Sequence, residues 1–255
     1  GSSTSTGVTW AWTGPNSFAS AAEDSFIANS AMSHAGDYIL TATLNSTGCS
    51  LKDTTTVVMK QTPVKPVANS NSPVCETLSL TLSTSSSTSG VSYGWSGPAS
   101  YSSTTQNPTV SSSAASTHAG DYISTATLNG CSSSDTVNVV VLPKPAKPTA
   151  GAVNTSLCAK QDLQLTASTV TGANYTWLGP SSFTANSQNP VRNYVQMNHG
   201  GKYYVYATLN GCISDTDSVT IIVNTDPIVN IFPTPGTTIC PGQQATFTAI
   251  PTNGG

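Results

Sequence analysis

Apolar and polar positions alternate with a period of two along most of this chain. Tyr122, Ser124, Ala126 and Leu128, and likewise Tyr203, Val205, Ala207 and Leu209, alternate with polar or variable residues, the pattern of a strand with one buried face. Leu78, Leu80 and Leu82 predict another such strand, matched by Leu163, Leu165 and Ala167. Val137, Val139 and Val141 predict the last strand of the series, matched by Val219, Ile221 and Val223. No stretch sustains helical spacing with capping residues. The expected fold is all-β.

The same unit recurs. Trp12-Thr13-Gly14-Pro15, Trp95-Ser96-Gly97-Pro98 and Trp177-Leu178-Gly179-Pro180 follow one another at intervals of 83 and 82 residues. His34-Ala35-Gly36-Asp37-Tyr38 returns as His118-Ala119-Gly120-Asp121-Tyr122 and, more loosely, as His199-Gly200-Gly201-Lys202-Tyr203. Short strands and turns rich in Gly, Pro, Asn and Ser, in units of this length, predict tandem β-sandwiches of immunoglobulin type in an elongated array. Trp12, Trp95 and Trp177 are then expected in the core, and Tyr38, Tyr122 and Tyr203 at tyrosine-corner positions. Trp10, on the same strand face as Trp12, is expected in the core too. The Pro-rich connectors at 62–66 and 143–148 read as semi-rigid spacers. The expected divisions are a partial unit at 1–61 lacking its first two strands, whole units at 62–142 and 143–224, and a partial unit at 225–255 holding only the first two strands. That pattern suggests a window on a longer repetitive protein, or donation of the tail of one copy to the head of the next.

Composition narrows the function. The chain carries 8 Lys and Arg against 11 Asp and Glu, so charged residues make up 7% of it, where a soluble domain usually has about 25%. Ser and Thr together number 77 of 255, small hydroxyl side chains that cover a sheet without charge. A net charge of −3 with scattered basic residues argues against nucleic-acid or anionic-membrane partners, which need a clustered positive field. No apolar run reaches the length of a membrane span, and Gly1-Ser2-Ser3-Thr4 has no signal-peptide features.

The six cysteines fall into two equivalent sets, Cys49, Cys131 and Cys212 after a Gly turn, and Cys75, Cys158 and Cys240 before the second strand. Such regularity points to disulfides in an oxidising compartment. Pairing within units joins Cys75 to Cys131 and Cys158 to Cys212 and leaves Cys49 and Cys240 over. In a simple sandwich these positions lie at opposite ends, too far apart for a bridge, so bridges between successive units, such as Cys75 with Cys212, are the alternative. Pairing Cys49 with Cys75, and so on along the chain, is another.

Titratable groups that could converge on chemistry are few. His34, His118 and His199 share one repeat position beside a turn, which fits a common loop role. Asp37 and Asp121 give way to Lys202, so a repeated carboxylate site fails in the third copy. There is no phosphate loop, nucleophile elbow or Cys-x-x-Cys pair. No catalytic residue, cofactor or metal is expected, and the chain is not expected to be an enzyme. Asn45, Asn154 and Asn174 fit the N-glycosylation pattern but occupy different repeat positions. Asp53, Asp135 and Asp217, each a few residues after a Cys, read as strand-entry residues.

Cys before Leu-x-Leu, Tyr-x-Trp-x-Gly-Pro-x-x-Phe, Gly-x-Tyr and Asn-Gly-Cys together resemble the tandem immunoglobulin-like repeats of long secreted surface proteins and adhesins of Bacteroidota, including gliding-associated ones. The resemblance implies export by the type IX route, an extracellular location and a stalk or fibre role, with copies of itself or neighbouring repeats as partners. It also implies O-glycosylation at Thr54, Thr136 and Ser218. Lys202, and the lack of a Gly after Cys75 and Cys158, depart from the pattern. The expected function is a structural segment of an extracellular fibre, stalk or filament-forming adhesin. The alternatives are a non-catalytic, perhaps carbohydrate-binding, module and a pilin-like subunit assembling by strand donation.

Overall fold

The structure, a computed structural model, describes residues 7–234 and 236–252; the leading Gly1-Ser2-Ser3-Thr4 lies outside them. In chain order the first strands are β1 (Val8–Gly14), β2 (Phe18–Ser20), β3 (Gly36–Leu44) and β4 (Ser50–Val57). They are followed by β5 (Val67–Ser70), β6 (Val74–Cys75), β7 (Leu80–Ser85), β8 (Ser92–Gly97), β9 (Tyr101–Ser103), β10 (Thr109–Ser111), β11 (Gly120–Leu128), β12 (Cys131–Val139) and β13 (Val141–Leu142). The same order returns in β14 (Ala150–Ala152), β15 (Ser156–Cys158), β16 (Leu163–Ala167), β17 (Asn174–Gly179), β18 (Phe183–Ala185), β19 (Val191–Arg192), β20 (Gly201–Leu209), β21 (Cys212–Ile213) and β22 (Asp217–Asn224). A hairpin of β23 (Ile228–Thr234) and β24 (Thr246–Thr252) comes last. One-turn 3-10 helices lie at Met32–His34, Ser116–His118 and Met197–His199.

The chain packs as two compact units. The first comprises 1–72, 80–111 and 117–139 and holds the sheets β2-β1-β3-β4, β10-β7-β5 and β12-β11-β8-β9. Its core is built by alternation. Leu80, Leu82 and Thr84 of β7 are buried with Thr81 and Ser83 outward, and Trp95, Tyr122, Ser124 and Ala126 are buried as well. The two hydroxyls in this core satisfy each other, Ser124 Oγ donating to Thr84 Oγ1 at 2.8 Å. Leu78, expected on the inner face with Leu80, is exposed, because β7 starts two residues after it.

The second unit comprises 73–79, 112–116 and 140–255. Its sheets are β14-β16-β19 and β15-β22-β20-β17-β18, with β21 also on β20, and the pairs β13-β6 and β23-β24. Leu163, Leu165, Trp177, Tyr203, Val205 and Ile221 form its core. β15 runs parallel to β22, as β6 does to β13, while the remaining pairs are antiparallel. A three-stranded sheet and a larger sheet edged by one short parallel strand, with Trp and Tyr in the core, make this an immunoglobulin-like sandwich. The chain is all-β, a tandem immunoglobulin-like array.

Packing explains the recurrent glycines. A Cβ on Gly179 would stand 2.5 Å from the Tyr203 ring, so Trp-x-Gly-Pro and Gly-x-Tyr are two halves of one contact. Gly201 has φ +136°, which L side chains rarely adopt, and lies against Pro180. The Phe of the motif completes the cluster, Phe183 meeting Tyr203 edge-on at 5.4 Å between centroids.

Candidate functional site

The repeated histidines are turn residues. Ala31 N–H donates to His34 Nδ1 at 2.9 Å, and Gln196 N–H to His199 Nδ1 at 3.1 Å, each closing a one-turn helix. The backbone carbonyls of His34, His118 and His199 in turn accept the hydroxyls of Tyr38, Tyr122 and Tyr203 at 2.9–3.0 Å, the bond that defines a tyrosine corner. Burial, then the nearby Arg192, lowers the pKa of His199. Among the described residues no three His, Cys, Asp or Glu gather where a metal could bind.

Trp95 and Trp177 are buried, and each indole N–H donates to the carbonyl eleven residues on, Gln106 at 3.1 Å and Gln188 at 3.2 Å. The amides of those glutamines reach back to the carbonyls of Thr84 and Ala167 at 2.8 Å. Trp12 makes the matching bonds to Ala22 and Glu23, at 3.1 and 3.3 Å, but it and Trp10 are only half-buried. Both tryptophans, with Tyr38, Leu40, Ala42 and Leu51, line a concavity of about 550 Å³ on the face of β1, β3 and β4. Leu51 is 79% exposed.

The connectors are more than spacers. Pro66 and Pro148 are buried, and carboxylates of β12 and β22 clasp the chain beside them. Asp135 accepts from Ala68 N–H at 2.9 Å and pairs with Lys65 Nζ at 2.6 Å. Asp217 accepts from Ala150 N–H at 2.9 Å and pairs with Lys147 Nζ at 3.0 Å. Sequence reasoning passed over this clamp, although the recurrence of Lys-Pro before the first strand and Asp after the cysteine was its signal. The Ala68 N–H, then Lys65, holds the Asp135 carboxyl at about 2 instead of 3.8. A depressed carboxylate pKa stabilises the fold above the unfolded value and loses that contribution as pH falls through the folded one. Asp135→Ala is therefore expected to cost about 1 kcal/mol at pH 7, a modest value because the ion pair is at the surface. In urea unfolding the gap between wild type and variant should begin to close below pH 4 and vanish near pH 2; a gap independent of pH would refute the clamp.

The cysteines depart from pairing within repeats. Cys75 is bonded to Cys212, with Cα atoms 5.6 Å apart and a sequence separation of 137. Neither Cys75–Cys131 nor Cys158–Cys212 forms, because Cys75, on the short parallel strand β6, and Cys212 are taken by each other. Cys49, Cys131, Cys158 and Cys240 are free thiols. Thr54, Thr136 and Ser218 are all exposed.

No protein-family model matches the chain, and no curated protein does. Among solved structures it is similar to titin I-band domains I67–I69, at 11% identity, with 87% of this chain and 89% of that one covered and a TM-score of 0.39. It is also similar to extracellular domains 3–5 of Drosophila OTK, at 12% identity over 86% of each chain with a TM-score of 0.39, and to murine CEACAM1b, at 15% identity over 62% of this chain and all of that one with a TM-score of 0.38. No described helix is long and apolar enough to cross a membrane.

Proposed function

We propose that this chain is a structural repeat segment of an extracellular fibre, stalk or filament-forming adhesin at a bacterial surface, of the Bacteroidota type IX-secreted class, with whole repeats at 62–142 and 143–224. The observation that carries the reading is the Cys75–Cys212 bridge. With those boundaries it ties one repeat to the next, which serves continuity along a chain of domains and has no part in binding a small ligand. Connectors clasped by Asp135 and Asp217 act in the same direction. A weakly charged, hydroxyl-rich surface lets strands of such material lie side by side without repulsion. Exposed Thr54, Thr136 and Ser218 suit the O-glycosylation that the resemblance implies.

A carbohydrate-binding module is the second reading, and the half-buried Trp10 and Trp12 favour it. The burial of their counterparts Trp95 and Trp177 weighs against a repeated sugar platform. Electron microscopy of native material decides between the two. Threads of β-sandwiches strung end to end are expected; short particles beside a compact catalytic body would sink the fibre reading.

A further inference from the structure

The outer faces of two equivalent sheets differ in a complementary way. On β20, Tyr203, Val205 and Ala207 point into the core, so Lys202, Tyr204 and Tyr206 stand on the outer face. On the neighbouring β17, Leu178 lies beside Tyr204 and Thr176 beside Tyr206. Tyr204 is 42% and Leu178 43% exposed. On β11 the same positions are Asp121, Ile123 and Thr125, with Ser96 beside Ile123 and Gly94 beside Thr125 on β8. That face is hollow where the other is raised: Gly94, Ser96, Ser102, Thr104 and Thr125 line a concavity of about 490 Å³.

Gly94 has no reason within its own sheet. Its φ is not positive and a Cβ there would meet nothing within 4 Å, yet a glycine inside a strand weakens it and marks places where a ligand or another chain comes close. The charges point to the same occupant. Asp121 is exposed, its carboxylate accepting from Asn138 Nδ2 at 2.7 Å. Lys202, at the equivalent position, is exposed and makes no ion pair among the described residues.

We infer that the outer face of β17 and β20 in one copy of this chain docks on the outer face of β8 and β11 in a second copy, Lys202 pairing with Asp121 and Tyr206 filling the hollow at Gly94. The inference rests on the fibre reading for the presence of many copies and deepens it by naming the lateral contact between them. One docking satisfies both contacts. Tyr206 lies four residues beyond Lys202, and Thr125, the partner of Gly94, four beyond Asp121, about 13 Å along either strand. β20 and β11 therefore run in the same direction, with Tyr204 over Ile123. Face-packed sheets stand about 10 Å apart, a gap that a tyrosine opposite a glycine fills. The two faces belong to different repeats, so the contact is heterologous and leads to a ring or an open filament.

The test is sedimentation velocity of the purified full chain, with its free thiols blocked, up to several hundred micromolar. The wild type is expected to gain mass with concentration. Lys202→Asp and Asp121→Lys, both at exposed sites, should each weaken association about tenfold or more by setting like charges together. An equimolar mixture of the two variants should associate again, because each supplies the charge that the other lacks. Gly94→Thr should unfold no more easily than the wild type, since threonine suits a strand better than glycine, and yet stay monomeric. That combination separates a docking hollow from a glycine needed by the fold. A wild type that is monomeric throughout overturns the proposal, as do single variants that associate like the wild type or a mixture that stays apart. Native threads that run singly, without side-by-side contact, would leave the fibre reading standing and sink this interface alone.

Discussion

Trp177→Ala is expected to destabilise the second unit by about 3–5 kcal/mol. Its indole is wholly buried among Leu163, Leu165, Tyr203 and Val205, so truncation removes apolar contact and leaves a void that rigid strands cannot close. It also strips the Gln188 carbonyl of its 3.2 Å donor, a loss of about 1 kcal/mol within that total. Guanidinium unfolding should show a lower midpoint with an unchanged slope, the mark of a change in stability. Trp12→Ala provides the contrast. Trp12 occupies the same repeat position but is half-buried on an open face, so in the separate chain its cost should be about 1–2 kcal/mol. Equal losses at the two positions would show that the β1–β4 face is covered in solution.

Loss of the Cys75–Cys212 bridge is the second large effect. Closing a loop of 137 residues removes unfolded-chain entropy worth about 5 kcal/mol by the polymer estimate. The measured loss is expected to be somewhat smaller, since β6 is also held to β13 through Val74 and Glu76 backbone bonds of 3.0 and 2.8 Å. Denaturant titrations of wild type with and without reductant, beside a Cys75→Ser, Cys212→Ser double variant, give the number directly. The variant should resemble reduced wild type and ignore the reductant. A reductant-independent wild type would mean that the bridge contributes nothing.

Much of this was legible because period-two alternation is a local property. Leu80 and Leu82, Leu163 and Leu165, and Ile221 and Val223 declared their buried faces without knowledge of what covered them. Leu78 and Val141 misled because alternation carries no mark of where a strand stops: Leu78 lies before β7, and Val141 belongs to β13, separated from β12. The cysteine partner was hidden for a different reason. Equivalent residues carry equivalent sequence signals, so Cys131 and Cys212 look alike, and only the fold, which brings Cys212 beside the short strand β6, separates them. The Asp135 clamp joins residues about 70 apart in the chain, beyond any pattern within one strand. The half-exposed state of Trp12 could not be read from its motif, which is shared with two buried tryptophans.

The bridge also determines which covalent path carries tension. A pull on the backbone from either side of the Cys75–Cys212 loop passes through the two sulfurs, because that route spans 5.6 Å between Cα atoms while the intervening peptide, drawn straight, would reach roughly 450 Å. Everything between Cys75 and Cys212, including the strands β7 to β20, is then shunted out of the line of force. Those strands bear none of the load, and only segments outside the loop are left to yield.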